Sequence, residues 1–346
     1  MPKTFDVLCF GSVTLDIFLS PNTDDVSIET KEGSDYFCVP VGEKMQASHV
    51  FQSCGGSAAN TSIGFAKLGL QSAAFGFLGD DEAREFIVSA LKKEKVRTDF
   101  LQQSSHTFSS FSVIINAPDG RRSVFHYRNC QEDFDPQHLL KAPSAKAVYI
   151  GHLYGKSEDL LEALPQWKEK NPKSVVVWNP GKTQLKKGIA AFTSVIPQID
   201  MLILNCQEAE QFSQLKAQKV PIKKASPTIT GKEIPLNDPY PAQDIFDVRL
   251  IAQKFLDSGI KRIVITDGKQ GAQYFTADQH FCVASPNVRT KSTLGAGDAF
   301  SVGVLAAFLK KKSVSDQLLW GTRNASSVIQ YFGAQKGQLS LQKIEE

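Results

Sequence analysis

The sequence predicts an α/β fold in which helices cover both faces of a mostly parallel central sheet. From Ala147 onward, apolar runs of strand length alternate with amphipathic helical segments, as in 147–150, 158–168, 174–178 and 201–204. Such alternation builds parallel sheets, because each crossover helix returns the chain to the edge where the previous strand began. Glycine turns at Gly55-Gly56 and at Gly295 to Gly297 each open a further apolar helix. We therefore expect a layered α/β protein.

Composition places the chain among ordinary globular proteins. Its 346 residues are 42% apolar, which is ample for a large core. The net charge is only +3 and both signs are mixed along the chain, so neither nucleic acid nor a membrane surface is predicted as a partner. The six cysteines are scattered without a C-x-x-C pair, which is typical of reduced thiols. No signal-like or membrane-spanning run is found, so a cytoplasmic location is expected.

The first strands carry one acid that needs an explanation. Phe5 to Phe10 is an apolar run, and Val13 to Leu19 continues it with Asp16 inside. Asp16 either caps a bulge on an exposed face or points into a cleft, where a carboxylate accepts hydrogen bonds from hydroxyl groups. A strand is expected over 36–41, ending at Gly42. The helix after Gly55-Gly56 carries Asn60 in its first turn, facing either solvent or a polar ligand.

The remaining elements follow from periodicity and turn residues. The runs 108–116 and 123–127 flank Pro118-Asp119-Gly120, which predicts a β-hairpin. The segment 217–243 contains Pro221, Pro227, Pro235, Pro239 and Pro241 without a clear period, and we interpret it as a surface insertion. A helix is expected over 244–257, a strand over 262–266 and short antiparallel strands over 273–275 and 280–283.

The stretch Lys291 to Phe300, KSTLGAGDAF, carries the strongest chemical signal. Gly295 and Gly297 flank Ala296, so the backbone can turn tightly and bring its N–H groups close to an anion. Asp298 follows in the first helical turn, where the helix dipole favours an ionised acid. Donors that hold developing charge beside a carboxylate that accepts a proton are what phosphoryl transfer requires. Taken alone, the same letters also fit an ordinary capped helix N-terminus.

Two further motifs directly follow predicted strands, where α/β sheets bind ligands. Asn205 and Glu208 lie three residues apart at a helix start, and their oxygens suit magnesium or its bound water. A capping box explains this pair equally well. Thr266 to Gly271, TDGKQG, is either a simple turn or a backbone that a nucleotide can approach.

The order of these motifs resembles one family across nearly the whole chain, namely the ribokinase-like carbohydrate and nucleoside kinases, or PfkB family. The shared pattern is an early strand acid, a Gly-Gly helix with an asparagine, an N-x-x-E, a T-x-G-x-x-G and a late D-T-x-G-A-G-D. In this sequence the corresponding residues are Asp16, Gly55-Gly56 with Asn60, Asn205 with Glu208, Thr266 to Gly271, and Ser292 to Asp298.

The resemblance implies a single domain over residues 1–346. Its fold would be three-layered, α/β/α, with a small β-sheet lid formed by about 13–53 and 107–128. The implied reaction is ATP-dependent phosphorylation of a sugar hydroxyl. In it Asp298 acts as base, and the backbone of Gly295, Ala296 and Gly297 forms an anion hole. Closing the lid would exclude water from the transfer.

The resemblance also implies the binding residues. Magnesium would be organised by Asn205 and Glu208. The nucleotide would be lined by Asn205, Thr266, Gly268, Gly271, Asn324 and Gly333. The acceptor would be held by Asp16, Gly42, Gly55, Gly56 and Asn60. A homodimer through the lid is a further implication.

The sequence departs from the family pattern at Ser292. Relatives usually have an aspartate before the threonine, and that aspartate helps to bind a monovalent cation such as potassium. Potassium dependence is therefore left open here. The base, the anion hole and the N-x-x-E are all present.

The acceptor is left open between a sugar and a nucleoside. Asp16 and Asn60 suit vicinal hydroxyls, which both kinds of molecule carry. A stacking aromatic would favour a nucleoside, and the aromatic residues in the predicted lid otherwise pack in the core. A ligand-binding protein without turnover is the remaining alternative. A dehydrogenase is not predicted, because no G-x-G-x-x-G follows the first strand.

Overall fold

A computed structural model describes residues 4–117, 121–128, 135–220 and 245–346. Most of the predicted insertion over 217–243 and the Pro118-Asp119-Gly120 turn lie outside these residues. Among the described residues, no helix is long and apolar enough to cross a bilayer.

An eight-stranded central sheet organises the molecule. Strands are numbered in chain order, and the central ones are β1 (Phe5–Phe10), β6 (Ser72–Phe75), β11 (Ala145–Ile150), β12 (Val175–Trp178), β13 (Met201–Asn205), β16 (Ile263–Thr266), β17 (Ala272–Phe275) and β18 (His280–Val283). Their order in space is β18-β17-β16-β13-β12-β11-β1-β6. The pairs from β6 to β16 are parallel, whereas β17 and β18 return antiparallel. The predicted mostly parallel sheet is confirmed.

Helices cover both faces of this sheet. They are α1 (Ser57–Lys67), α2 (Glu82–Lys93), α3 (Leu160–Lys170), α4 (Lys182–Lys187), α5 (Cys206–Ser213), α6 (Arg249–Asp257), α7 (Ala296–Leu309), α8 (Val314–Val328) and α9 (Leu341–Glu345). Short 3₁₀ turns occur at Thr23–Asp25, Pro136–His138, Gly155–Asp159, Ile189–Phe192, Ile196–Gln198 and Gly268–Gln270.

Each central strand is apolar on both faces, which forces this layering. In β13, Leu202 belongs to one buried cluster with Phe212 of α5, and its neighbour Ile203 belongs to a second cluster with Phe300 of α7. Successive side chains of a strand point to opposite faces, so both faces must be covered to remove them from water. The three-layer α/β/α arrangement follows.

A smaller sheet lies beside the central one. It contains β2 (Thr14–Pro21), β5 (Ala47–Gly55), β9 (Phe111–Asn116) and β10 (Arg122–Tyr127) in the order β10-β9-β2-β5. The predicted hairpin is confirmed as the antiparallel pair β9–β10, while β2 and β9 are parallel. Shorter pairs are formed by β3 (Ser27–Lys31) with β4 (Ser34–Cys38), by β7 (Phe77–Leu78) with β8 (Gln102–Gln103), and by β14 (Gln218–Val220) with β15 (Ile245–Asp247).

The structure corrects two predicted boundaries. The helix expected over 244–257 begins only at Arg249, because β15 pairs with β14 and the Asp247 carboxylate then accepts the backbone N–H of Arg249. The strand expected over 36–41 is instead Ser34–Cys38 and is half of a hairpin with β3. Both β3 and β4 are mostly exposed, so they lack the apolar alternation that identifies a half-buried strand.

Candidate active site

The carboxyl ends of the parallel strands bring several predicted residues to one edge of the sheet. Asn205 ends β13 and Thr266 ends β16, and the two residues are direct partners in the parallel register. A cavity of about 560 Å³ is lined by Ala145, Lys173 and Val175, which lie where β11 and β12 begin. That cavity is therefore at the opposite edge and is separate from the predicted site.

The glycine turn before α7 has the conformation that the sequence predicts. Gly295 is the N-cap and adopts a left-handed conformation, φ 77°. A Cβ atom at Gly295 would lie 2.5 Å from the Cβ and 2.7 Å from the Cα of Ala334, so only glycine fits against this neighbouring turn. The first N–H groups of α7 have no acceptor within the helix, and that of Ala296 makes only a long bond of 3.4 Å to the carbonyl of Thr293, so they can turn to an anion.

Asp298 lies in the first turn of α7 and is held by a side chain from α1. Its Oδ2 accepts a hydrogen bond of 2.8 Å from Asn60 Nδ2. The Asn60 Oδ1 in turn accepts a hydrogen bond of 3.1 Å from Gln335 Nε2. The same Nε2 also donates a hydrogen bond of 2.6 Å to the carbonyl of Cys54. Asn60 is 5% exposed and its backbone carbonyl accepts from Gln338. The amide of Asn60 is therefore fixed and orients the carboxylate.

Burial changes the acidity of this carboxylate. The pKa of Asp298 is raised to about 6: desolvation is the largest cause, the Asn60 hydrogen bond opposes the increase, and the negative charge of Glu208 adds to it. Burial likewise raises the pKa of Glu208 itself. Asp298 therefore remains ionised at neutral pH but is a stronger base than an exposed aspartate. This is the property that a general base needs.

We expect the acid limb of the pH–rate profile to move in opposite directions in two variants. Activity should rise with pH through about 6, because Asp298 must be ionised to accept a proton. Asn60→Ala removes a stabiliser of the carboxylate, so the limb should move to higher pH by about half a unit or more. Glu208→Gln removes a neighbouring charge, so the limb should move to lower pH. Measuring kcat/KM from pH 4.5 to 8 checks this, and shifts of the same sign would contradict it.

Asn205 and Glu208 form a reciprocal capping box at the start of α5. The Asn205 Oδ1 accepts from the Glu208 N–H at 2.9 Å, and Glu208 Oε2 accepts from the Asn205 N–H at 2.9 Å. The capping interpretation is therefore confirmed, and it does not exclude a metal role, because the Glu208 carboxylate retains its second oxygen, Oε1. Glu208 is half-buried and has no cationic partner in the described ion pairs, so its carboxylate is suited to a nearby cation.

The turn after β16 combines a structural glycine with an open one. A Cβ atom at Gly271 would lie 1.9 Å from the carbonyl oxygen of Val283, so this glycine allows β17 and β18 to approach each other. Gly268 has φ 52° and no atom within 4 Å of the corresponding position. A ligand could therefore approach the backbone closely at Gly268.

Asp16 lies on the smaller sheet and faces the Gly55-Gly56 turn. It is 7% exposed, and its Oδ1 accepts a hydrogen bond of 3.1 Å from Thr14 Oγ1. Burial raises its pKa, and hydrogen bonds from Ser112 and Thr14 oppose the increase. A Cβ atom at Gly55 would lie 1.9 Å from Asp16 Oδ2, so this glycine makes room for the carboxylate. Asp16 is thus held in place and does not cap an exposed bulge.

Gly56 and Gly333 have conformations that also require glycine. Gly56 has φ 88°, and a Cβ atom there would lie 2.3 Å from the carbonyl oxygen of Ser12. Gly333, φ 88°, precedes Ala334 and lies near Phe51 and Ser53 of β5. The turn at 333–334 therefore connects the start of α7 to the smaller sheet.

Two residues that the sequence assigned to the binding site, Gly42 and Asn324, do not offer a free side chain or a sterically constrained backbone to it. Gly42 lies in an exposed turn, where a Cβ atom would meet nothing within 4 Å. Asn324 is fully buried, and its amide bonds to Ala299 O, Gln338 Oε1 and the Leu339 N–H. Direct contact of Asn324 with a nucleotide would break these bonds, so we give this side chain a structural role.

The sequence did not reveal Gln335 and Arg122. Gln335 bonds to Asn60 across 275 residues of chain. Arg122, on β10, reaches the hydroxyls of Ser292 and Thr293, which directly precede the glycine turn. No short motif marks either residue. The only available signal was the position of Arg122 in a strand of the predicted lid.

Comparison with known proteins identifies the family. The pfkB family of carbohydrate kinases matches residues 6–340, and the chain therefore belongs to this family. The chain is 25% identical to a ribokinase of Bacillus subtilis over 346 residues, covering 99% of this chain and 98% of the relative. It is 27% identical to a fructokinase of Solanum tuberosum, covering 79% of this chain and 76% of the relative.

Solved structures show the same fold. A nucleoside kinase of Methanocaldococcus jannaschii, described as an archaeal member of the ribokinase family, matches with a TM-score of 0.72 at 19% identity and covers 100% of this chain and 98% of its own. An Arabidopsis thaliana ribokinase complexed with ribose and ATP matches with a TM-score of 0.72 at 19% identity. The match covers 99% of this chain and 98% of the ribokinase. The predicted ribokinase-like fold is confirmed, and the protein is a kinase of the pfkB carbohydrate kinase family.

Proposed function

We propose that the chain transfers the γ-phosphoryl group of ATP to a hydroxyl of a sugar, with Asp298 as the base. The observation that carries this proposal is the half-buried Asp298 carboxylate, which is fixed by Asn60 and has a raised pKa, in the first turn of the glycine-capped helix α7. Asp298 takes the proton of the acceptor hydroxyl, whose oxygen forms the new bond to phosphorus. The bond between the β,γ-bridging oxygen and phosphorus breaks, and ADP leaves. The N–H groups of Gly295, Ala296 and Gly297 hold the charge on the transferring group.

The nucleotide and magnesium fit the residues at the ends of β13 and β16. Thr266 and the open backbone at Gly268 would face the nucleotide, while Gly271 shapes the turn. The described residues contain no cluster of three or more acidic, histidine or cysteine side chains that could hold a metal. Asn205 and Glu208 would therefore hold magnesium largely through its water, as is usual where phosphates supply most of the ligands. The metal would neutralise phosphate charge.

Asp16 would bind hydroxyls of the acceptor, with Asn60 and the Gly55-Gly56 turn completing that side of the site. We expect Gly55→Ala to raise the acceptor KM by about 10-fold or more, because the added Cβ displaces the Asp16 carboxylate and removes a charged hydrogen bond. The KM for ATP should not change. Steady-state kinetics of Gly55→Ala, Asp16→Ala and the double variant check this. If Gly55 acts through Asp16, the double variant is no worse than Asp16→Ala alone.

A nucleoside is the second candidate acceptor, and one observation favours it. The rings of Phe18 and Phe51 stack with their centroids 4.4 Å apart and an interplanar angle of 3°. Alternation along β2 places Phe18 on the same face of the sheet as Asp16. Phe51 remains 38% exposed and could stack on a base. The nucleoside kinase from M. jannaschii has the same fold.

A single acceptor screen tests the proposal. The full chain is incubated with ATP and magnesium chloride, and ADP release is measured with D-ribose, D-fructose, other aldoses and ketoses, adenosine, inosine and guanosine. Turnover of a sugar with little turnover of nucleosides supports the first candidate, and the reverse pattern supports the second. Repeating the assay with EDTA tests the magnesium requirement, and replacing sodium with potassium tests the monovalent-cation requirement. Binding of acceptors without ADP release would instead support a ligand-binding protein.

The smaller sheet would act as the lid over the acceptor, within a single domain spanning 1–346. Its outer face, opposite to Asp16, carries exposed Val50 and Phe125 beside partly buried Leu19 and Ile115. An apolar sheet face of this kind favours a homodimer formed through the lid. Light scattering of the full chain measures this. A cytoplasmic location is proposed from the cysteine usage.

A further inference from the structure

Arg122 links the smaller sheet to the loop that precedes the anion hole. It begins β10, and its guanidinium donates from Nη1 to Ser292 Oγ at 3.3 Å and from Nη2 to Thr293 Oγ1 at 3.4 Å. These are long hydrogen bonds between neutral acceptors and a flexible cation. They place the guanidinium at the loop without neutralising it.

The loop itself is fixed at this point. Ser292 Oγ also accepts from the Leu294 N–H at 3.3 Å, and the backbone N–H groups of Lys291 and Ser292 bond to the carbonyl of Ile329. Gly295 is only two positions after Thr293, so their Cα atoms are at most about 7 Å apart. A guanidinium held at Thr293 is therefore within reach of a group bound at the glycine turn.

The charge of Arg122 has no acidic partner among residues 4–117, 121–128, 135–220 and 245–346. Partial desolvation alone lowers its pKa, with no contribution from a neighbouring carboxylate. Three of the five guanidinium N–H donors are not used by Ser292 and Thr293. An unpaired cation beside an anion hole has the geometry and charge to bind a phosphoryl group.

Strand geometry explains why Arg122 and not Arg121 reaches this position. Arg122 pairs with Asn116 in β9, and alternation places both on the face that carries Asp16 and Ser112. Arg121 lies just before the strand and forms an ion pair with Asp35 of β4. The two neighbouring arginines therefore have different surroundings, and Arg121 provides a matched control.

We propose that Arg122 contacts the transferring phosphoryl group of the nucleotide and stabilises its charge in the transition state. This inference rests on the proposed function. It makes β10 part of the catalytic apparatus, because the positive charge reaches the anion hole only when the smaller sheet is seated against the loop at 292–293. It also makes an arginine the source of positive charge at Ser292.

The test compares Arg122→Gln with Arg121→Gln in the full chain, using ATP, magnesium and the sugar or nucleoside that the wild type turns over fastest. Arg122→Gln should lower kcat by about 100-fold, since it removes one donor of charge stabilisation, with little change in the acceptor KM. Arg121→Gln should retain wild-type kcat. Arg122→Lys should recover part of the loss, and added guanidinium ion should partly restore kcat of Arg122→Gln but not of the wild type. Melting temperatures of both variants should match the wild type.

The outcomes separate this inference from the proposed function. A wild type that turns over an acceptor while Arg122→Gln keeps full kcat overturns the role of Arg122 alone. A raised acceptor KM at unchanged kcat, seen only with acidic acceptors, also overturns it, because Arg122 would then recognise an anion on the acceptor. Equal losses in both arginine variants would indicate a structural effect. A wild type without turnover on any acceptor overturns the proposed function and the inference together.

Discussion

Asp298→Asn is expected to lower kcat by about 10⁴-fold, the upper end of what a positioned general base contributes. The amide keeps the size and the position near Asn60 but cannot accept the acceptor's proton. The KM or Kd for ATP should stay within about threefold, because Asp298 acts on the acceptor side and the glycine turn is unchanged. Steady-state kinetics and nucleotide titration check both expectations.

A matched control for Asp298→Asn is Asp278→Asn. Asp278 is exposed and accepts a hydrogen bond from Thr276 in the turn after β17, at the edge of the sheet opposite to the site. This variant should retain wild-type kcat. Full activity of Asp298→Asn would rule out its role as the base, and a loss of ATP binding equal to the loss of kcat would indicate a collapsed turn.

Gly295→Ala is expected to lower kcat by about 10³-fold through the backbone alone. The new Cβ would lie 2.5 Å from the Cβ of Ala334, and φ 77° adds a strain of about 1 kcal/mol for a residue other than glycine. The turn must therefore move, and the N–H groups that hold the phosphoryl charge lose their direction. Loss of one such donor typically costs about 10²- to 10³-fold in kcat.

Gly259→Ala separates this steric effect from the strain. Gly259 also has positive φ, 106°, but no atom lies within 4 Å of its Cβ position, in the loop before β16. It should lose about 1 kcal/mol of stability and keep its activity. Thermal unfolding and kcat measured on both variants check the comparison. Equal activity in the two variants would contradict the assigned anion hole.

The central sheet and the motif residues could be predicted because their signals are local. Asn205, Thr266 and Gly295 each follow an apolar strand or open an apolar helix, and a parallel sheet brings its carboxyl ends together by construction. The smaller sheet was harder to predict from the sequence. Its strand β5 is exposed over most of its length, so it lacks the alternation that identifies a half-buried strand, and the prediction missed it.

The supporting contacts could not be predicted from the sequence. Asn60 was expected to hold the acceptor, whereas its amide also orients Asp298 and is itself held by Gln335. Arg122 reaches Thr293 across 171 positions in the chain. Such contacts depend on how two sheets and several helices come together, and no short pattern encodes them. The acceptor assignment of Gly42 remains a prediction.

The late position of Gln335 and Gln338 has a consequence for protein synthesis. Both side chains hold Asn60, near the beginning of the chain, and Gln338 also bonds to Asn324. Because a chain emerges from the ribosome starting at its N-terminus, Asn60 is synthesised well before Gln335 and Gln338, and its amide is fixed only after the segment that contains them has emerged. A nascent chain that lacks this segment would leave the Asp298 carboxylate without its fixed hydrogen-bond donor.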